Sequence, residues 1–385
     1  MNILLVSHYG EYSGDLSSSF VHAQASALAA RGHRVRALIL TPLGKRRAGH
    51  RWGPFYGEGQ ADGVELRYVR YLSLSNRGER GFNAAAARRA ADKCLPQLVR
   101  GFTPDIIHAH TLGTDSAAAL QLKSRLGCPL VITTHGSDTS IPVQQGRTAD
   151  LKIQCDGADH VVAVSSTLRQ KLHTCGTKTP VSVILNGFHV QAVPRTGAEK
   201  TPCSLLQVSN LIRQKHVDTT LIAFAQVKKA HPEARLTVIG RGPERENLEN
   251  LARELGVTRD VRFTGQLPNE DVLAEMARTQ FFCMPSVREG FGIVYLEAMA
   301  SGCLTMGTRG EGVADLIENG KNGFLVPPEE PAAIAELIEW GLAHPEEAAA
   351  IAARGRQDAL SLTWETNAAA YEKLYLTLSE SEKNA

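Results

Sequence analysis

Short apolar runs alternate with longer amphipathic stretches along this chain, and the alternation occurs twice. The first series is Ile3 to Ser7, Val35 to Leu40, Val64 to Val69, Ile106 to His110, Leu130 to Thr134, Val161 to Val164 and Val181 to Leu185. The second is Ser204 to Ser209, Arg235 to Ile239, Val261 to Thr264, Phe281 to Met284, Cys303 to Gly307 and Gly323 to Val326. Short continuous apolar runs are the mark of strands buried on both faces, and the periodic stretches between them predict helices. Strands separated by helices imply right-handed βαβ units and a parallel sheet. The chain is therefore expected to be α/β, with one doubly wound domain over 1–190 and another over 203–363. The polar segment 191–202, with Pro194, Gly197 and Pro202, predicts the link between them. Beyond the second series, Trp364 to Leu378 predicts a helix with Tyr371, Leu374 and Tyr375 on one side, and 364–385 forms a closing segment.

In open α/β sheets a ligand lies beyond the carboxyl ends of the strands, at the switch in strand order. The polar clusters of this chain fall at those ends. Gly10 to Ser19 follow the first strand, His108-Ala-His110-Thr111 ends the fourth, and Thr133-Thr-His-Gly-Ser-Asp138 ends the fifth. In the second series Ser209 to Lys215, Gly240-Arg-Gly242, Gly265-Gln266 and Ser286 to Gly292 follow strands in the same way.

The most informative stretch is Glu289-Gly-Phe-Gly-Ile-Val-Tyr-Leu-Glu297. Gly290 and Gly292 break the periodicity, and Ile293 to Ala300 predicts a helix. Unpaired amides and the helix dipole make such an N-terminus an anion site. Glu297 shares a helix face with Ile293, one turn deeper. Among Ile293, Val294, Leu296, Ala298 and Met299 its carboxylate needs hydrogen-bond donors, and sugar hydroxyls are suitable ones. The alternative is that Glu289 caps the helix and Glu297 faces solvent.

Composition narrows the setting. The chain has 385 residues, 43% hydrophobic and 21% charged, as in a soluble globular protein. No apolar run approaches the roughly 20 residues that cross a bilayer. The start Met1-Asn-Ile-Leu-Leu-Val-Ser7 has no basic segment of a signal peptide, so a cytoplasmic location is expected. The seven cysteines form no spaced ligand pair and are expected to be reduced apolar fillers.

The net charge of +2 hides an asymmetry. Residues 1–190 hold 22 Lys+Arg against 13 Asp+Glu (+9), and residues 191–385 hold 20 against 27 (−7). Much of the basic excess lies between Arg31 and Arg100, including Lys45-Arg46-Arg47 and Arg88-Arg89. Either the face meets anionic lipid or an anionic acceptor, or it is simply solvated. Trp52, Phe55 and Tyr56 are not interleaved with the basic residues as a stacking surface requires, which disfavours nucleic acid.

The run Pro285-Ser-Val-Arg-Glu-Gly-Phe-Gly-Ile-Val-Tyr-Leu-Glu-Ala-Met-Ala-Ser-Gly302 resembles the signature of glycosyltransferase family 4, retaining enzymes of the GT-B fold that use nucleotide-sugar donors. Arg31-Gly-His-Arg-Val35, Val238-Ile-Gly-Arg-Gly-Pro-Glu-Arg245, Val261-Arg-Phe-Thr-Gly265 and Gly320-Lys-Asn-Gly-Phe-Leu-Val326 are similar to further family motifs in the same order. The resemblance implies two Rossmann-like domains facing each other across a crevice, with the C-terminal helix returning toward the first.

It also implies roles. Glu289 would contact the donor sugar, with the amides of Gly290, Phe291, Gly292 and Ile293 near sugar and phosphates. Glu297 would take the ribose hydroxyls, and Lys215 would neutralise the leaving diphosphate. His135 would contact the sugar beside the reacting carbon, making His135, Glu289 and Lys215 the catalytic set. Gly14, Asn210, Arg213, Gly240 and Gly265 complete the donor side; His108, His110, Arg46 and Arg47 are acceptor-side candidates. As ordinary features, Lys215 would be a surface lysine and His135 a strand-end cap. The pair His108 and His110 invites a metal reading, but zinc needs three or four ligands and no further ligand spacing is evident. No metal or other cofactor is therefore expected.

Two positions depart from the family pattern. Asn210 stands where an arginine is usual, five residues before Lys215, leaving Arg213 to supply the charge. Ser17-Ser-Ser19 stands where many members have glycine. The implied reaction is transfer with retention from a nucleotide-sugar, by preference a UDP-sugar. The acceptor would be a saccharide or polyprenyl-linked saccharide of bacterial envelope synthesis, reached from the inner face of the membrane. A nucleotide-sugar epimerase and a non-catalytic nucleotide-sugar binding protein are the competing readings.

Overall fold

The computed structural model describes residues 1–7, 20–43, 56–73, 80–193 and 199–383. The chain divides into one unit of Met1–Gly187 with Trp364–Ala385 and another of Phe188–Thr363.

In the first unit the strands are β1 (Asn2–Ser7), β2 (Arg34–Leu43), β3 (Tyr56–Ala61), β4 (Val64–Leu72), β5 (Ile106–His110), β6 (Leu130–Thr134), β7 (His160–Ala163) and β8 (Val181–Val183). They form one sheet in the order β3-β4-β2-β1-β5-β6-β7-β8. Every pairing is parallel except β3 with β4. The order reverses between β1 and β5, which is the switch point of a doubly wound sheet. Strand alternation divides the residues between two faces. Leu4, Val6, Leu38, Leu40, Ile107, Ala109 and Ile132 pack on one face with the helices Arg80–Leu98 and Thr114–Leu126. Ile3, Leu5 and His108 point to the other, where the helices Phe20–Ala30 and Trp364–Lys383 pack against each other.

β3 was not expected. Its sequence Tyr-Gly-Glu-Gly-Gln-Ala is mostly polar because it is an edge strand with exposed positions. The hairpin turn is Asp62-Gly63, both with positive φ (46° and 80°), the conformation a two-residue turn demands. That dipeptide was the available signal.

In the second unit the strands are β9 (Thr201–Val208), β10 (Arg235–Ile239), β11 (Val261–Gly265), β12 (Thr279–Met284), β13 (Leu304–Thr308) and β14 (Phe324–Val326), in the order β11-β10-β9-β12-β13-β14 and all parallel. Here the switch lies between β9 and β12. Both units are thus parallel-sheet, Rossmann-like domains.

Part of the basic excess is consumed internally. Arg36 is 1% exposed. It is paired with Glu65, donates to the Leu98 and Arg100 carbonyls, and stands 4.4 Å over the Phe102 ring. Arg34 also pairs with Glu65, and Arg31 with Glu372. Arg88 and Arg89 remain exposed. No described helix is long and apolar enough to cross a membrane.

Candidate active site

The carboxyl ends of β9, β10 and β12 and the loops after them enclose a cavity of about 370 Å³ at the switch point of the second unit. Asn210, Lys215, Gly240, Glu289, Gly292, Ile293 and Glu297 all line it. The helix Ile293–Ala300 starts where the sequence predicted, and its N-cap is Gly292 with φ 83°, a left-handed conformation that suits glycine. Ile293 and Val294 present the first turn of that helix to the cavity, where backbone amides have no intrahelical acceptor.

Lys215 and Glu289 form an ion pair on one wall. Ser286 Oγ donates to the same Glu289 oxygen at 3.0 Å, and the Glu289 amide donates to Glu311 at 3.0 Å. Lys215 sits on a one-turn helix, Arg213–Lys215, anchored from below when buried Gln207 donates to the Lys215 carbonyl at 2.8 Å. The cavity therefore holds a cation and a carboxylate side by side, beside a helix N-terminus.

Glu297 lies deeper. Burial raises its carboxyl to about 7, and the Asn269 side chain, hydrogen-bonded to it, opposes the rise. Glu297 is half-buried rather than fully solvent-facing, and the helix cap is Gly292, with no side-chain cap bond from Glu289. A buried acid with a raised value has a definite linkage. Its protonated form favours the free fold, so that contribution is complete below the unfolded value of about 4.5 and is lost as pH rises through about 7. A ligand whose hydroxyls donate to Glu297 needs the ionised form. Such a ligand should weaken by up to about tenfold per unit as pH falls below 7, and Glu297→Gln should abolish that slope. Titration calorimetry with a nucleoside diphosphate from pH 5.5 to 8 measures both; a wild-type slope unchanged in Glu297→Gln would remove Glu297 from the ligand.

Four other donor-side candidates do not line the cavity. The Arg213 side chain is 88% exposed and stands 3.5 Å from Glu244, outside the cavity lining. Phe291 is 1% exposed, a core residue, and Gly290 is buried beneath Gly312. Gly265 acts one step back, accepting from the Gly240 amide at 2.9 Å. Gly14, Arg46 and Arg47 lie outside the described residues.

The first unit gathers its histidines at the ends of β5 and β6. His135 is half-buried, 3.1 Å from His110 Nδ1 through its Nε2, with the Phe20 ring at 4.5 Å. The Asp138 carboxylate accepts the His135 and Gly136 amides and the Thr134 hydroxyl, fixing this turn. His108 does not belong on an acceptor surface. It is fully buried, with Nε2 2.7 Å from Thr133 Oγ1 and Nδ1 2.6 Å from the Tyr375 hydroxyl. Burial pushes its ring down to about 3, so it is neutral and structural, tying β5 to the C-terminal helix. His110 is 1% exposed and stacks on the His135 ring with centroids 5.4 Å apart.

Two family models match consecutive stretches of the chain, "Glycosyltransferase Family 4" over residues 17–192 and "Glycosyl transferases group 1" over residues 192–358. The chain belongs to glycosyltransferase family 4. The glycogen synthase of Mycobacterium tuberculosis is 28% identical over 94% of this chain and 91% of its own length. The sucrose-phosphate synthase of Thermosynechococcus elongatus superposes with a TM-score of 0.80 over 99% of this chain and all of that one, at 22% identity. Anabaena HepE, solved in complex with UDP-glucose, superposes with a TM-score of 0.72 over 98% of this chain and all of that one, at 19% identity. The fold of this family 4 glycosyltransferase is thus GT-B.

Leu267, Asn269 and Val272 also line the cavity and were not anticipated, while Arg241 and Gln266, placed at strand ends by the sequence, were given no role. Arg241 brings a second cation where Asn210 lacks one. The signal for Arg241 and Gln266 was their position directly after strand-ending glycines.

Proposed function

We propose that this glycosyltransferase moves a hexosyl group, with retention and without a metal, from a UDP-sugar to a saccharide or polyprenyl-linked saccharide of the bacterial cell envelope. The observation that carries the reading is the cavity at the switch point, where the Lys215–Glu289 pair, a helix N-terminus and buried Glu297 line one wall system. That set matches a nucleotide-sugar along its length. Glu297 takes the ribose hydroxyls, Lys215 and the amides of the first helical turn take the diphosphate, and Glu289 takes the sugar. UDP-glucose bound to HepE is the precedent within the fold for the choice of base.

As the bond between the anomeric carbon and the diphosphate oxygen breaks, negative charge grows on the leaving group. Lys215 and the helix amides are placed for that charge, and stabilising developing charge is the largest single contribution in such reactions. An oxocarbenium-like centre forms, the acceptor hydroxyl attacks from the face the diphosphate leaves, and its proton passes to the leaving oxygen. No protein nucleophile is required. Lys215 and the helix N-terminus supply the positive charge that a divalent ion supplies elsewhere. The exposed basic residues Arg88 and Arg89, and the basic excess of residues 1–190 in the sequence, favour an acceptor carried on anionic membrane, met at its cytoplasmic face.

The test is a screen of UDP- and GDP-hexoses with saccharide and polyprenyl-phosphate-linked saccharide acceptors, following nucleoside diphosphate release with and without EDTA. Release that depends on acceptor and survives EDTA is expected. Release without acceptor, or its loss in EDTA with recovery on adding magnesium, would overturn the corresponding part.

A further inference from the structure

We propose that Cys203, His231 and Glu233 form a binding site for a zinc-class divalent ion, at the amino-terminal end of β9 and away from the donor cavity. The Cys203 sulfur, a His231 ring nitrogen and a Glu233 carboxylate oxygen all lie within 4.8 Å of one another. His231 Nδ1 and the Glu233 carboxylate are 3.5 Å apart. A thiol, an imidazole and a carboxylate are the donor set that suits zinc, with water completing four-coordination.

The backbone independently aims the thiol at this point. Along the β9–β12 pairing Thr201 faces Thr279 and Leu205 faces Phe281, so β9 carries two extra residues within the interval. Cys203 lies in this bulge with φ 57°, a left-handed conformation that costs a side-chain-bearing residue. Bulges re-aim side chains. The Gln280 side chain holds this one by accepting the Cys203 amide at 2.8 Å, while the Gln280 amide donates to Ser204 Oγ at 2.9 Å.

The neighbouring cations are engaged elsewhere. Lys228 bonds Asp260 and the carbonyls of Pro232 and Ala234, and Arg235 bonds Asp260 and the same loop. Glu233 is 63% exposed and His231 30%, which gives an ion a route to the buried sulfur. On binding, the thiol releases its proton to water as the metal–sulfur bond forms, so affinity should rise with pH. Five residues along β9 separate Cys203 from Val208 at the donor cavity, roughly 16 Å at strand rise. The ion would be structural, clamping the start of β9 to the segment after the helix Val217–Ala230.

Cobalt(II) titration of the full chain tests this directly. One equivalent should produce a thiolate-to-cobalt charge-transfer band that zinc displaces and that Cys203→Ala loses. His231→Ala and Glu233→Ala should each weaken binding at least tenfold, and saturating zinc should raise Tm by roughly a few degrees in wild type only. Absence of the band in wild type, its persistence in Cys203→Ala, or indifference to His231→Ala would overturn the proposal. If Cys203→Ala does not fold, the His231 and Glu233 variants decide the matter alone.

Discussion

Lys215→Ala should lower kcat by roughly 10²–10³-fold while leaving the fold intact, the range expected when one group that stabilises developing negative charge is removed. Two effects combine. The leaving diphosphate loses its cation, and Glu289 loses the partner that neutralises it beside an anionic ligand. The scaffold should survive, because the Lys215 amide donates to Ile212 and its carbonyl accepts from Gln207, and both bonds are made by backbone atoms of residue 215. Circular dichroism and the thermal transition should match wild type. Lys215→Arg should retain part of the activity. Near-normal turnover in Lys215→Ala would remove the lysine from the reaction.

Gly240→Ala should be the most damaging small substitution in the cavity. A methyl group there would stand 1.8 Å from the Ser209 carbonyl oxygen, and φ is 142°, where side chains are rarely found. Neither neighbour yields easily: Ser209 is held by Ile239 at 3.0 Å and Gly240 by Gly265 at 2.9 Å, so three strand ends meet at this point. Strain and overpacking together should cost roughly 3 kcal/mol or more and displace the loop that carries Asn210. Gly256→Ala is the control, with φ 72° and open space around the new methyl, and should cost only about 1 kcal/mol. Urea denaturation of both variants measures the contrast. Equal costs would mean that the close approach of Gly240 to Ser209 is unimportant.

The strands of both units were legible because parallel, doubly covered strands must be continuously apolar, from Ile3–Val6 in β1 to Phe281–Met284 in β12. β3 escaped because an exposed edge strand carries no such pattern. The helix start at Ile293 and the placing of Glu289, Glu297 and Lys215 on one cavity followed from two glycines and strand-end position. What failed depended on tertiary contact. His108 looked like a site residue, but Tyr371 and Tyr375, more than 260 residues further on, cover it, with Tyr375 and Thr133 bonded to its two nitrogens. Arg213 lies beside Lys215 in sequence, yet the one-turn helix sends its side chain to solvent. Arg36 interrupts the apolar run Val35 to Leu40, and its burial on Glu65 and Phe102 depends on partners far along the chain. Cys203 is packed in the apolar core as expected, and its closeness to His231 and Glu233 was hidden because their spacing fits no ligand motif.

The central claim is that the cavity between Lys215 and Glu297 holds the nucleotide end of the donor. Calorimetric titration of UDP and GDP into wild type, Lys215→Ala and Glu297→Leu at pH 8 tests it most directly. UDP should bind wild type more tightly than GDP, and each substitution should weaken it by at least tenfold, the scale of a lost charged or buried hydrogen-bonding partner. The same Kd in all three proteins would contradict the assignment of this cavity to the donor.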